Sequence, residues 1–279
     1  FDGVGLSMPI LGDTHDLVPV VERNQVRRII VAFGAMNEEA MVRVLRDCEQ
    51  IPVEVYVVPR LFELAVTPAS SFAEDVWGIS LIRLRGSALR ARSRVVKRLF
   101  DVVAASALLV LSAPLMLACA VAVRRSSPGS ILFRQKRVGR NGQIFELLKF
   151  RTMLENDDSE TTWSVVNDHR QTRVGAILRR TSLDELPQLF NVLQGTMSLI
   201  GPRPERAHFA SRFDMEVPHY DDRHRVLGGL TGWAQVHGLK GDTPIADRAR
   251  FDNHYIEHWS LWRDVVIFVR TVLQLLTFR

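Results

Sequence analysis

The sequence holds little that could build a disulfide, zinc or redox framework. It has two cysteines, Cys48 and Cys119, far apart and in helical or apolar contexts. That excludes a disulfide-stapled secreted scaffold and fits a reducing compartment. No G-x-G-x-x-G run is present, and only Gly34 follows the first strand-like segment, so the dinucleotide-binding fingerprint is missing. Internal repeats, low-complexity tracts and a signal-peptide pattern are also missing. The most informative lack is of charge, because Val102 to Val123 are 22 consecutive residues without a formal charge.

A straight helix of that length is roughly 33 Å long, enough to cross a bilayer core. Two features argue against a simple crossing. Pro114 falls in the middle and removes a helical hydrogen bond. The flanks are basic on both sides, with Arg90, Arg92, Arg94, Lys97 and Arg98 before the segment and Arg124 and Arg125 after it. Positive charge favours the cytoplasmic face, so both ends prefer the same side. The expected geometry is a re-entrant helix broken at Pro114; a proline-kinked transmembrane helix and a buried soluble helix are the alternatives. Asp101, at the boundary, reads as a helix-start or ion-pairing residue.

The remaining composition allows one large domain or two small ones: 279 residues, 47% apolar, net charge +5 and a pI of about 9.7. A basic balance suits an anionic membrane surface or substrate, and nothing points to nucleic acid. Residues 1–87 read as an α/β unit: a helix from Thr14 to Asn24, a buried strand over Arg28–Phe33, a helix from Asn37 to Gln50 capped by Asn37, and a strand over Val53–Val58. This spacing predicts a parallel crossover. A basic connector, 88–96, leads into the membrane segment, 97–125. Two short runs, Ile131–Gln135 and Ile144–Phe150, flank Gly139, Asn141 and Gly142 and predict a hairpin. Glu155 to Thr162 reads as a polar loop, and the rest of 126–279 is mainly helical. The chain starts at Phe1 partway into its α/β unit, so further chain is expected upstream.

Asp184 and Glu185 carry the strongest chemical signal. One structural explanation is a capping box formed by Ser182 and Glu185; another makes Asp184 the N-cap with Pro187 in the first turn. Arg179 and Arg180 lie upstream, and Gly201-Pro202-Arg203-Pro204 downstream. Cations beside a carboxylate at a helix start make a place for phosphate and a divalent ion. In an extended strand Lys149 and Arg151 share a face and could clamp a diphosphate. The prolines around Arg203 stiffen its loop for bidentate phosphate contact. His254-Tyr255-Ile256-Glu257-His258 matches H-x-x-E-H, but the only carboxylate after it is Asp264, too close to be the usual distant third zinc ligand. Trp259 and Trp262, with the apolar runs Val265–Val269 and Leu273–Leu276 that follow, read instead as an amphiphilic helix at the membrane interface or in the core.

Residues 97–279 resemble the bacterial polyprenyl-phosphate hexose-1-phosphate transferases, the monotopic phosphoglycosyl transferases. The resemblance rests on Lys97–Asp101, Pro114, Phe133-Arg134-Gln135, Lys149–Met153, Ser182–Gln188, Asn191–Pro204, Thr231–Val236 and Tyr255–Trp262. It implies an α+β protein: a partial Rossmann-like (CoA-binding-like) domain over 1–87, a re-entrant membrane helix, and a mainly helical catalytic domain with a small β-hairpin. It also implies transfer of a hexose-1-phosphate from a UDP-sugar, glucose or galactose first, to undecaprenyl phosphate at the cytoplasmic face of a bacterial inner membrane, in exopolysaccharide, O-antigen or capsule synthesis. Asp184 would be the nucleophile and a Mg²⁺ ligand, Glu185 its assistant, and Lys149, Arg179 and Arg203 the surrounding cations. A homodimer stays open, as does a non-catalytic membrane-anchored scaffold. Three positions depart from the family pattern: Ala113 where a serine commonly precedes the break proline, Ser130 for a proline, and Leu227-Gly228 for a basic residue and proline.

Overall fold

The structure is a computed structural model and describes residues 10–13, 16–32, 41, 44, 48, 53–58, 73–76, 79–84, 91–154 and 170–277. The chain divides into two compact units, Phe1–Ser87 and Ala88–Arg279.

In the first unit, helix α1 (Leu17–Arg23) buries Val21 and ends at Asn24, whose backbone and side-chain amides both donate to the Val20 carbonyl. Strand β1 (Arg28–Val31) pairs in parallel with β2 (Glu54–Val57), in the register Arg28 to Glu54, as the crossover reading requires. Two strands not foreseen, β3 (Ala73–Val76) and β4 (Ile79–Leu84), add antiparallel pairings, giving the order β1-β2-β4-β3. The expectation that the first strand is buried is corrected. As an edge strand it alternates exposed and half-exposed positions, and Ile30 is 56% exposed. Of the helix expected over 37–50, only Met41, Val44 and Cys48 are described, and each is helical. Gly34, Asn37 and the loop expected at 155–162 lie outside the described residues.

The second unit is organised around α2 (Ala91–Ser126), which stays helical through Pro114, so the break expected there is corrected: the proline removes one hydrogen bond without ending the helix. Its apolar outer face is exposed at Val103, Val110, Leu111 and Leu117. Its first turns are bolted to the rest of the unit. Lys97 Nζ donates to Asp264 Oδ2 at 2.8 Å, and Asp101 accepts from the Leu199 amide at 3.1 Å. Arg98 donates to the carbonyls of Val192 and Leu193, at 2.6 and 2.7 Å. Those carbonyls are at the end of α4 (Gln188–Gln194), where helical partners run out and a cation is favoured.

The predicted hairpin is present as β5 (Leu132–Val138) and β6 (Ile144–Phe150), turned through Asn141 (φ 55°) and Gly142 (φ 74°). Helix α3 (Arg173–Arg180) is capped by Thr172, whose hydroxyl accepts from the Gly175 amide at 2.9 Å. Gly175 lets α3 touch the hairpin's exit backbone to backbone, since a Cβ there would lie 2.0 Å from the Thr152 carbonyl oxygen. Strands β7 (Ser198–Ile200) and β8 (Gly229–Thr231) pair in parallel, and α5 (Ala207–Glu216) lies between them in the chain. Helices α6 (Trp233–Val236), α7 (Ile245–Glu257) and α8 (Leu261–Leu276) complete the unit. Ala105, Leu147, Leu189, Ile200, Tyr255 and Ile267 share one buried core, so membrane helix, hairpin and C-terminal helices fold as one body.

Candidate active site

Three segments converge on Glu185. Helix α3 ends at Arg180; Ser182 then takes left-handed backbone geometry (φ 56°), and a 3₁₀ turn over Leu183–Glu185 leads through Pro187 into α4. Neither capping arrangement expected from the sequence forms. Ser182 makes no side-chain cap, α4 starts only after Pro187, and the Glu185 carboxylate turns away to bind cations. It accepts from Lys149 Nζ at 2.9 Å and from Arg203 Nη2 and Nη1 at 2.5 and 3.3 Å. Lys149 comes from the end of β6, while its neighbour Phe150 faces the opposite way into a cluster with Val123 and Leu178.

Arg203 sits on the loop after β7, and that loop is held by its backbone. The Gly201 amide donates to Thr231 O at 2.9 Å, and the Gly229 amide to Pro202 O at 2.8 Å. Arg223 Nη2 donates to Arg203 O, and Arg137 Nη1 to Pro204 O, each at 2.9 Å. Arg223 is in turn fixed by Asp252 at 2.7 Å. Sequence reasoning missed both clamping arginines, because each acts through a carbonyl distant in the chain. The Leu227-Gly228 departure has a packing counterpart, since Gly228 lies against the Pro204 ring, where a Cβ would approach to 3.0 Å.

The other expected cations divide. Arg179, exposed at the end of α3, is aimed by Thr152 Oγ1 (2.9 Å from Nε) and Met153 Sδ (3.0 Å from Nη2), and its charge acts on Asp184. Arg151 does not join the cluster, which corrects its pairing with Lys149 on one strand face. The strand stops at Phe150, and the buried Arg151 guanidinium instead donates to Ser127 O and Oγ, at 2.7 and 2.9 Å, at the foot of α2. Lys240, not singled out in the sequence, lies within Coulombic range of Arg203 and Glu185.

The two acids differ in electrostatic state. Burial alone would raise Glu185, but the charges and hydrogen bonds of Arg203 and Lys149 outweigh it and hold the carboxyl far below the usual range. Asp184 is 7% exposed and makes no hydrogen bond or ion pair with any described residue. Burial raises its pKa and the Glu185 charge adds to that, against the pull of Lys149, Arg179 and Arg203. Burial also lowers Lys149, which Glu185 offsets and Arg203 reinforces. The result is one carboxylate saturated with cations and one left free beside them.

The free oxygens of Asp184 suit Mg²⁺, which binds through one or two carboxylates together with substrate phosphates. Among the described residues, no three His, Cys, Asp or Glu side chains converge on a point. That includes the H-x-x-E-H stretch: the His254 and His258 rings stack at 4.3 Å, and Tyr255 donates to Asp264 Oδ1 at 2.6 Å.

Comparison with known proteins gives the family. Residues 92–278 match the bacterial sugar transferase family, and residues 3–59 match a CoA-binding domain. A UDP-glucose:undecaprenyl-phosphate glucose-1-phosphate transferase of Xanthomonas campestris pv. campestris is 41% identical over 277 residues, 96% of this chain and 57% of the relative. The protein of the same description from Escherichia coli (strain K12) is 35% identical over 276 residues, 97% of this chain and 59% of the relative. A UDP-N-acetylgalactosamine-undecaprenyl-phosphate N-acetylgalactosaminephosphotransferase of Aeromonas hydrophila is 46% identical over 188 residues, 65% of this chain and 44% of the relative. The chain thus spans less than two thirds of the length of each of these relatives.

Proposed function

The chain belongs to the bacterial sugar transferase family, and from that premise we propose that it moves a hexose-1-phosphate from a UDP-sugar to undecaprenyl phosphate. The observation that carries this reading is the free, buried Asp184 beside a Glu185 already neutralised by Lys149 and Arg203. In the proposed first step an Asp184 carboxylate oxygen attacks the β-phosphorus, and the bond to the oxygen bridging the two phosphates breaks. UMP leaves with that electron pair, and a phosphosugar remains on Asp184. In the second step an oxygen of the lipid phosphate attacks the same phosphorus, the acyl phosphate bond breaks, and Asp184 is regenerated as its carboxylate. Attack of an anion on an anion needs fixed positive charge; Arg179 and the Glu185-bound pair Lys149 and Arg203 provide it without rearranging. Mg²⁺ held by Asp184 and the phosphates would further neutralise the developing charge. Glu185 is thus assigned the holding of two cations rather than the bond-making step. Glucose is the first sugar to test, because two of the relatives named above carry it in their description; galactose and N-acetylgalactosamine follow.

The reading assigns catalysis to 126–279, membrane insertion to 97–125, a linker to 88–96 and a separate, non-catalytic unit to 1–87. Among the described residues, one helix is long and apolar enough to cross a membrane. Re-entrance is supported by where its ends lie. Lys97 binds Asp264 and Val123 packs on Phe150 and Leu178, so both ends of the segment belong to one unit. Residues on both sides of Pro114 (Leu109 and Val110, Leu117 and Ala120) line one apolar hollow with Pro187 and Phe190. A crossing would send the two ends to opposite faces. On this reading the basic flanks assign the catalytic unit to the cytoplasmic face of the inner membrane, with α8 offering its exposed Trp262, Val269 and Leu273 to the interface.

The test is a panel of UDP-sugars with undecaprenyl phosphate in nanodiscs, following UMP and the lipid product. A lipid-linked sugar diphosphate formed from one donor, with UMP released before lipid is added, is the expected result. Absence of UMP from every donor would leave a membrane-anchored scaffold as the better description.

A further inference from the structure

The loop between α6 and α7 carries a cation that the catalytic reading has not used. Strand β8 is fixed beside the Arg203 loop by the Gly201–Thr231 and Gly229–Pro202 hydrogen bonds, and α6 follows it directly. Gly232 seals that junction, because a Cβ there would lie 2.2 Å from the Gly201 carbonyl oxygen. The chain then enters a turn in which Gly238 (φ 82°) and Gly241 (φ 61°) bracket Lys240, with open space where either Cβ would be. Lys240 is exposed, has no ion-pair partner among the described residues, and its ammonium makes one hydrogen bond among them, to the Gln274 side-chain oxygen at 3.4 Å. A long cation on a glycine-flanked turn, mounted on a rigid strand next to Arg203, is free to move onto a bound anion.

The charges around the site say which kind of ligand. Lys149, Arg179 and Arg203 face Asp184 and Glu185, and Lys240 adds a cation within Coulombic range of Arg203 and Glu185. A nucleoside diphosphate sugar carries one negative charge on each phosphate, which suits such a concentration of cations.

Resting on the transferase reading above, we propose that Lys240 is a donor-binding residue that closes onto the diphosphate and contacts the phosphate that leaves with the nucleoside. Lys149 and Arg203 are tied to Glu185, whereas Lys240 is exposed, within Coulombic range of Arg203 and Glu185, and not committed to a carboxylate among the described residues. Burial and repulsion from Arg203, partly opposed by Glu185, already lower the Lys240 pKa, in keeping with a cation held close to other cations until an anion arrives.

UDP, common to all candidate donors and lacking the sugar, is the probe. Titrated into the full chain in nanodiscs, it is expected to bind Lys240→Met roughly tenfold more weakly than wild type, with Lys240→Arg restoring most of the affinity. The KM for donor should rise in Lys240→Met, while the KM for lipid phosphate and the melting temperature stay at wild-type values. Equal UDP affinity in wild type and Lys240→Met would overturn the proposal, as would a loss of affinity that comes with a lower melting temperature. A wild-type protein that does not bind UDP at all would instead overturn the transferase reading on which the proposal rests.

Discussion

Asp184 and Glu185 share one 3₁₀ turn, yet Glu185 binds two cations and Asp184 is bonded to no described residue. Adjacent carboxylates of the same charge are thereby given separate tasks. Asp184→Asn should abolish both UMP release and any phosphosugar adduct, because an amide cannot form the acyl phosphate. Glu185→Gln should lower kcat roughly 10²- to 10³-fold while still forming the adduct slowly, since it loosens Lys149 and Arg203 rather than removing the nucleophile. Intact-protein mass spectrometry with donor and no lipid separates the two; an adduct on the Asp184→Asn protein would refute the assignment.

The same pair should split in stability. A carboxyl whose folded pKa is raised, as for Asp184, weighs against folding once it ionises and is relieved as pH falls below that pKa. Asp184→Asn should therefore raise the melting temperature at neutral pH, by about 2–4 °C if the relief is about 1 kcal/mol. Glu185 is the reverse case. Its lowered pKa gives stability that is complete above the ordinary glutamate pKa and fades as pH falls toward the folded value. Glu185→Gln should accordingly melt lower at neutral pH and lose that deficit in acid. Melts followed from pH 7 down to the most acid pH at which the protein still folds check both signs, the Asp184 relief coming first and the Glu185 loss only well below pH 4.

The pH profile of the first half-reaction should be narrower than ordinary side chains would give. The acid limb follows Asp184 and lies above the usual aspartate pKa of about 3.9. The alkaline limb follows Lys149, lowered by burial, and lies below the usual lysine value of about 10.4. Rapid-quench measurement of UMP release against pH tests this. Lys149→Arg should carry the alkaline limb upward, and an unmoved limb would remove Lys149 from the assignment.

Topology can be read by labelling. In a protein freed of Cys48 and Cys119, cysteines at Arg94 and Ser126, both exposed, should react with an impermeant reagent from the cytoplasmic side only. Pro114→Leu restores the missing helical hydrogen bond and should shift part of the population to labelling from opposite sides. Opposite-side labelling of the protein with Pro114 intact would eliminate re-entrance.

Lys97 and Asp264 are both buried, so removing one partner strands the other. Lys97→Met should destabilise by about 3–5 kcal/mol, more than an exposed lysine warrants. Replacing both, as Lys97→Met with Asp264→Leu, should recover part of that loss even though Tyr255 and Trp259 also donate to Asp264. A double-mutant cycle on melting in detergent measures the coupling.

The hairpin and the cluster of Lys149, Glu185 and Arg203 were legible in the sequence because their signals are local. Glycine and asparagine sit where positive φ is needed, and each cation stands in a short, distinctive motif. The first strand pair was legible for a related reason, since two apolar runs joined by a helical pattern at crossover spacing favour a parallel pair. What stayed hidden depends on distant partners. Strands β7 and β8 have three residues each, and their pairing is set by Gly201 and Gly229 meeting across a long excursion. Arg151 looked equivalent to Lys149 by alternation, but alternation ends with the ladder at Phe150 and its side chain went to Ser127. The capping signals at Ser182 and Asp184 were real local preferences, overridden by the attraction of two cations for Glu185.

The grip of α2 on the catalytic unit bears on attempts at a water-soluble enzyme. Cutting the chain after the membrane segment would leave the Val192 and Leu193 carbonyls, the Leu199 amide and the buried Asp264 without the partners that Arg98, Asp101 and Lys97 provide. An unrelated tether would restore attachment to lipid but none of those bonds. Solubility is better sought by keeping Lys97, Arg98, Asp101 and the buried Ala105 and repainting the outward positions Val103, Val110, Leu111 and Leu117 with polar side chains. The helix is a girder of the building and not merely its mooring line.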